Sequence, residues 1–274
     1  MKRQRLAKLA VNGALVLLAL LTAFPLLWML SASLMPAGEA LTLPARLFPS
    51  HPTLQHYGTL FSRLRLGRTF LNTLFLASVI TAVSLLCNSM AGYAFAKLRF
   101  RGRGRLFAIL LATLVVPPQV TVLPLFLEIR ALGLVNSFGG VIVAGITTVF
   151  GIFLIRQFAL GIPDELLDAA RIDGASELRI YWTIVLPALR PILITLGAFT
   201  FLAAWNDFMW PLTVLTDESK YTLPVALANL SGEHVQDTEL MMAGAVVTVL
   251  PGLLLFLALQ RYYVQGILMG GVKE

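Results

Sequence analysis

Six long apolar runs, separated by polar stretches, dominate this chain. They lie near residues 10–34, 70–96, 105–127, 139–158, 188–212 and 240–261. Each is long enough to cross a bilayer core, which takes roughly 20 residues of helix. The pattern predicts an all-α polytopic membrane protein: six transmembrane helices in a single domain over 1–274. The first run follows Lys2, Arg3, Arg5 and Lys8, as a signal peptide would. Its apolar stretch from Leu9 to Leu30 exceeds a signal-peptide core, so despite the small residues Ser31-Ala32-Ser33 it reads as an uncleaved anchor.

Composition agrees with the runs. Hydrophobic residues make up 58% of the chain and charged residues 13%. Mean hydropathy is +0.82. A soluble domain of this length needs more charge to cover its surface. The lone cysteine, Cys87, rules out an internal disulfide or a Cys-based zinc site and reads as a small buried apolar residue. A net charge of +7 in a soluble protein would point to nucleic acid. Here the basic residues flank apolar runs without interleaved aromatics, so membrane orientation explains them.

Counting Lys and Arg over alternate loops places fifteen on the side of both termini, the 97–105 loop and the 156–190 loop, against six on the other. Basic residues stay on the cytoplasmic side, which predicts cytoplasmic termini. Three of the six outer residues fall in Arg63–Arg68; with Leu60, Phe61, Leu64 and Leu66 they suggest an amphipathic helix at the outer surface. The third run is interrupted by Val116-Pro117-Pro118-Gln119 and by Pro124, so its helix is predicted to kink or break. Breaks at membrane depth survive only against protein or a water-filled cavity. Pro211 and Pro251 mark the fifth and sixth runs similarly. Each reads either as a gate or pathway wall, or as a proline kink packed between helices.

The connection over 159–187 is the most patterned polar segment. Pro163 suits a helix start, and Asp164 and Glu165 complement its positive end. Good helix formers run to Ile172, Asp173-Gly174 supplies a turn, and a second helical stretch from Ser176 to Val185 ends before Leu186-Pro187. Helical spacing puts Leu166, Ala169, Ala170 and Asp173 on one face, small enough to enter another protein's groove. A helix resting on lipid headgroups would need a larger apolar face and more basic residues.

This loop resembles the cytoplasmic signature of ABC importer permeases: Glu-Ala-Ala, three residues, Gly, nine residues, Ile, one residue, Leu-Pro. Asp168-Ala169-Ala170, Gly174, Ile184 and Leu186-Pro187 stand at those spacings, with Asp168 in place of Glu. Val116–Val120, Trp205–Pro211 and the tail Gln265–Lys273 are similar to the carbohydrate-uptake branch, specifically the second of its two paired subunits, as in maltose- and glycerol-phosphate-class importers. The resemblance implies a bacterial inner-membrane permease domain with Glu165–Gly174 as the coupling helix. Its partners would be a homologous permease in a heterodimer, two copies of a cytoplasmic ATPase and an extracytoplasmic solute-binding protein. ATP and magnesium would be bound by the ATPase and no cofactor by this chain, whose solute would be a sugar or sugar-like molecule.

The residues exclude other chemistry. There is no Gly-x-x-x-x-Gly-Lys-Ser/Thr phosphate loop and no His-Glu-x-x-His, so neither an ATPase nor a metalloprotease is expected. His51, His56 and His234 fall in predicted outer loops and read as solvated. For the solute pathway, Asp207 beside Trp205 and Asn206 is the most notable ionisable group near the membrane. It also reads as a helix-end residue at the outer interface, with Trp205 and Trp210 as belt anchors. Asn72, Asn88 and Gln119 are further pathway candidates, though amides also hold helices together in lipid. An ion-driven secondary transporter is the alternative function. It would require acidic or His residues at mid-span and a repeat between halves, neither of which is evident.

Overall fold

The computed structural model describes residues 2–271 apart from 45, 64 and 233–236. His234, Leu64 and the Val272-Lys273 end of the tail, all named above, lie outside the described residues. Among the described residues the chain is helical with no strand. In order the helices are α1 (Lys2–Ala32), α2 (Gln55–Arg63), α3 (Leu66–Lys97), α4 (Arg103–Ala112), α5 (Pro118–Ala131), α6 (Phe138–Ala144) and α7 (Val149–Leu160). Then follow α8 (Asp164–Ile172), α9 (Glu177–Ile180), α10 (Leu186–Ala188), α11 (Arg190–Trp205), α12 (Met209–Val214), α13 (Leu223–Gly232) and α14 (Thr238–Gly271).

Three unbroken helical stretches are long and apolar enough to cross a membrane: Lys8–Ala32, Leu66–Lys97 and Thr238–Gln260. Three more pass only as bent pairs. The third predicted run is α4 with a short 3-10 extension, followed after a 108° bend by α5. Pro117 is extended at the break and Pro118 opens α5, so the expected interruption falls at the Pro-Pro pair. The fourth run also breaks, between Ala144 and Val149, with a 49° bend that no proline announces. Within the fifth window α11 ends at Trp205 and α12 starts at Met209. Pro251 sits inside α14 without ending it.

The chain divides into two compact units. The first comprises residues 1–67 and 226–251. Beyond α1 its loop folds back: Thr53 N donates to the Leu34 carbonyl, and Ser33 Oγ and the Tyr57 hydroxyl share a 2.8 Å hydrogen bond. His56 is buried and bonds the Met35 carbonyl through Nε2 at 2.9 Å, so the solvated histidine expected there is instead a packed one. The amphipathic helix expected around Leu60–Arg68 forms only in part: α2 stops at Arg63, and buried Leu66 already begins α3. Asparagine-like positive φ at Arg65 makes the corner between them.

The second unit comprises residues 68–225 and 252–274 and holds two apolar cores. One gathers Leu76, Ile80, Ile129, Val141, Trp210 and Val214. The other gathers Tyr93, Ile155, Leu167, Ile180, Tyr181 and Val185, and so sits beneath the 159–187 loop. Between the cores α3 and α7 approach closely: a side chain at Gly92 would collide with Ile155, and one at Gly151 with Asn88.

Candidate functional site: an exposed helix–glycine–helix loop

Helix α8 is held by its sequence at both ends. Pro163 is extended ahead of it and Asp164 and Glu165 fill the first turn, where negative charge meets the helix's positive end. At the far end Gly174 has φ +79°, Ala175 N donates to the Ala170 carbonyl and Gly174 N to the Arg171 carbonyl. That is a Schellman ending, which satisfies the last carbonyls and turns the chain sharply. Ser176 then caps α9 by accepting from Arg179 N.

One side chain anchors α8 inward. Leu167 is buried, and removing such a side chain from water is worth about 1.5–3 kcal/mol. The opposite side is open: Glu165, Leu166, Asp168, Ala169 and Asp173 are exposed. Ala170 is not part of this face; it is half-buried and packs against the core with Leu167. Ile172, which the small-residue pattern passed over, takes its place at 87% exposed. Leu178 and Trp182 extend the apolar surface onto the second stretch. Ile184 and Leu186 are half-buried against the same core, and Pro187 is exposed.

That second stretch does not end at Val185. It passes from α9 into a π-helical turn at Tyr181–Val185 and on through α10, then bends by 79° into α11. The wider turn lets Tyr181 face the core and share a 2.7 Å hydrogen bond with Ser89 on α3.

Charges clamp the loop. Arg171 donates to Asp168 at 2.6 Å and to Glu177 at 2.7 Å, joining α8 to α9 across the glycine bend. Glu177 and then Asp168 push the pKa of the guanidinium further up. The Tyr93 hydroxyl of α3 donates to the other oxygen of Glu177 at 2.7 Å. Lys97, at the end of α3, reaches Asp164 at 2.6 Å and donates to the carbonyls of Leu160 and Ile162. The bond and charge of Lys97 hold the Asp164 carboxyl below its ordinary 3.8. A depressed carboxyl contributes stability above its unfolded value and loses it as pH falls through the lower folded value. Glu177, held by Arg171, is depressed from its ordinary 4.5 as well, so hydrogen-exchange protection of α8, corrected for intrinsic rates, should hold from pH 7 to pH 5 and step down below about pH 4.5. The part due to Asp164 should be small, because the group is exposed, and should be missing in Asp164→Asn; an unchanged profile in that variant would assign the whole step to Glu177.

The pathway candidates divide by accessibility. Asn72 is buried and donates to the carbonyls of Ser219 and Tyr221, pinning α3 to the 215–222 loop. Asn88 is fully buried; its oxygen accepts from Thr148 N and its amide reaches Ser84 and Thr148. Trp205 is fully buried among aromatic rings, T-shaped on Phe70 and stacked on Phe201. Trp210 is buried too, its indole N–H donating to the Gly140 carbonyl, so neither tryptophan forms a lipid-facing belt. Gln119 and Asn206 are exposed, beside the breaks before α5 and after α11. Asp207 is half-buried and accepts from Trp210 N at 3.3 Å, tying the turn that opens α12.

Comparison with known proteins agrees with this architecture. Residues 88–269 match the family of the binding-protein-dependent transport system inner membrane component. An arabinooligosaccharides transport system permease protein of Halalkalibacterium halodurans is 39% identical over 93% of this chain and 93% of that protein. An osmoprotective compounds uptake permease protein of Synechocystis is 34% identical over 97% and 93%. A lactose transport system permease protein of Rhizobium radiobacter is 32% identical over 99% and 98%. A chain of a crystallised bacterial ABC transporter involved in the import of the acidic polysaccharide alginate shares the fold, with a TM-score of 0.83 at 24% identity over 96% of this chain and 98% of that one. With its broken spans and its helix–glycine–helix loop, the chain belongs to the family of binding-protein-dependent transport system inner membrane components.

Proposed function

We propose that this chain is the permease subunit of an ABC importer for a sugar or sugar-like solute, and that the exposed face of α8 is where a separate ATPase docks. The observation carrying the docking reading is a capped helix whose outward side exposes Ile172, Leu166 and Ala169 among the carboxylates Glu165, Asp168 and Asp173, uncovered by the other described residues. An apolar patch edged by Glu165 and Asp173 suits a protein groove better than anionic headgroups. The names of its oligosaccharide and lactose relatives support a carbohydrate.

In this reading both termini and the 159–187 loop face the cytoplasm. A homologous permease supplies the other half of the pathway, two ATPase copies bind ATP and magnesium, and an extracytoplasmic binding protein delivers the solute. This chain holds no cofactor. ATP binding performs work because it favours one transporter conformation over the other. The ion-driven alternative gives the clamped loop no task.

The test is affinity purification of this chain from native membranes under gentle detergent conditions. An ATPase should come with it and respond to an extracytoplasmic binding protein, whose bound sugar then identifies the solute. Repeated isolation without an ATPase would sink the reading.

Gln119, Asn206 and Asp207 remain the accessible candidates for the pathway. For Asp207 the hydrogen bond to Trp210 N predicts a specific result. Asp207→Asn keeps an accepting oxygen for Trp210 N and should leave uptake of the identified sugar within about twofold, whereas Asp207→Leu loses a hydrogen bond worth about 1 kcal/mol. A large loss in Asp207→Asn would show instead that the charge acts on the solute.

A further inference from the structure

Helix α8 is inserted in the sequence between α7 and α11, yet its ion pairs and hydrogen bonds lead elsewhere. Lys97 binds Asp164 in its first turn together with the Leu160 and Ile162 carbonyls just before it. Tyr93, one turn earlier on the same helix, binds Glu177, which holds Arg171 in the last turn of α8. Both ends of α8 are thus strapped to α3. The Lys97 side chain is 7% exposed where Asp164 is 74% exposed, so the lysine is built into the structure and the aspartate reaches to it.

The covalent routes out of α8 are poor transmitters. Towards the C-terminus lie the π turn at Tyr181–Val185 and the 79° bend at Leu189; towards the N-terminus α7 has only 12 residues before the 49° break. Such interruptions are where helices flex. By contrast α3 is a continuous 32-residue helix without proline. From Lys97 to Asn72 it runs about 37 Å at helical rise. At that far end Asn72 donates to the Ser219 and Tyr221 carbonyls, and the Thr73 hydroxyl accepts from Leu223 N. The same helix therefore grips α8 at one end and the 215–222 loop at the other.

We infer that α3 is the rod that carries displacement of α8 across the membrane to the 215–222 loop, and that Tyr93 and Lys97 are the positioning residues that engage it. The inference rests on the reading of α8 as the ATPase dock. It makes a distinct claim: the mechanical path runs through side-chain straps onto α3 rather than along the chain. Breaking the straps should leave the dock occupied and the outer loop unresponsive.

The experiment uses the assembled importer in lipid nanodiscs, which leave both faces open to reagents, with Cys87→Ala removing the native thiol and Glu218→Cys placing one at an exposed position of the 215–222 loop. The probe is a membrane-impermeant maleimide. Its reaction rate is measured without nucleotide and with ATP plus vanadate, which traps the closed ATPase. In the otherwise unaltered chain the rate should change on trapping. In Tyr93→Phe with Lys97→Met that change should shrink about threefold or more, while the ATPase copurifies in the same ratio. Tyr93→Phe alone, which keeps the ring in the core, should give a partial loss, and Lys97→Arg, which keeps the donors, should restore the response.

A full response in the double variant with the ATPase bound would overturn the inference, as would an unaltered chain whose outer loop does not respond to trapping. Loss of the ATPase from the double variant would also overturn it, by making the straps part of the dock. If no ATPase accompanies even the unaltered chain, the docking reading itself fails.

Discussion

Gly174→Val should lower uptake about tenfold or more while leaving the protein in the membrane and the ATPase attached. The glycine has φ +79° with nothing within 4 Å of where a Cβ would stand. The substitution therefore meets no clash with neighbours, only the backbone penalty of a β-branched residue in the left-handed region, about 1–3 kcal/mol. The chain escapes that penalty by abandoning the bend. The Ala175-to-Ala170 and Gly174-to-Arg171 hydrogen bonds then break, and Arg171 can no longer hold Asp168 and Glu177 at once. Since about 1.4 kcal/mol is a factor of ten, the coupled geometry becomes a minority state. ATP hydrolysis measured beside uptake gives the readout: hydrolysis should persist and no longer track transport. Gly174→Ala, with no branch, should fall between. Normal uptake in Gly174→Val would show that the bend contributes nothing to coupling.

Ile172→Asp should act on the other half of the process and strip the ATPase from the purified complex. Ile172 is the most exposed large apolar side chain on the face, and nothing among the described residues covers it. Its replacement releases no packed group, and the carboxylate in the last turn costs α8 about 0.3–1 kcal/mol against the helix's negative end. Within an interface the same change deletes an apolar anchor and buries a carboxylate. Central anchors of this kind are worth about 2 kcal/mol or more, a roughly thirtyfold loss of affinity. The copurifying ATPase, quantified against Ile172→Val, decides the matter. Undiminished recovery would move the dock off this face. Asp168→Lys is a less clean probe, because Asp168 is paired with Arg171 at 2.6 Å and the new charge would first repel its own neighbour.

The sequence showed the features whose causes are local. Apolar runs gave the spans, Pro117-Pro118 gave the break in the third, and Pro163, Gly174 and Ser176 gave the ends of the loop helices. Features with distant causes stayed hidden. The break in the fourth span has local caps in Gly145 and Thr148, but its anchor is Asn88, sixty residues away, whose oxygen receives Thr148 N and whose amide meets the Thr148 hydroxyl that caps α7. Read alone, Asn88 was an amide in an apolar run; in place it holds the start of α7. The same limit applied to the docking face. Leu166, Ala169 and Asp173 share a side by spacing, but Leu167 decides which side is inward, and that follows from the core formed with Tyr93, Ile155 and Ile180. Only then does Ala170 turn inward and Ile172 outward.

The Pro-Pro break carries a consequence for solvation. A helix that starts within hydrocarbon ordinarily presents up to four amide protons with no acceptor, each costing several kcal/mol. At the head of α5, neither Pro117 at the cap nor Pro118 has an amide proton to present, and Val120 N is satisfied by the Pro117 carbonyl. Three of the four liabilities are thereby cancelled without water, leaving that of Gln119. A proline pair thus starts α5 with one amide proton left for an outside acceptor, and the 108° turn makes little demand on its surroundings.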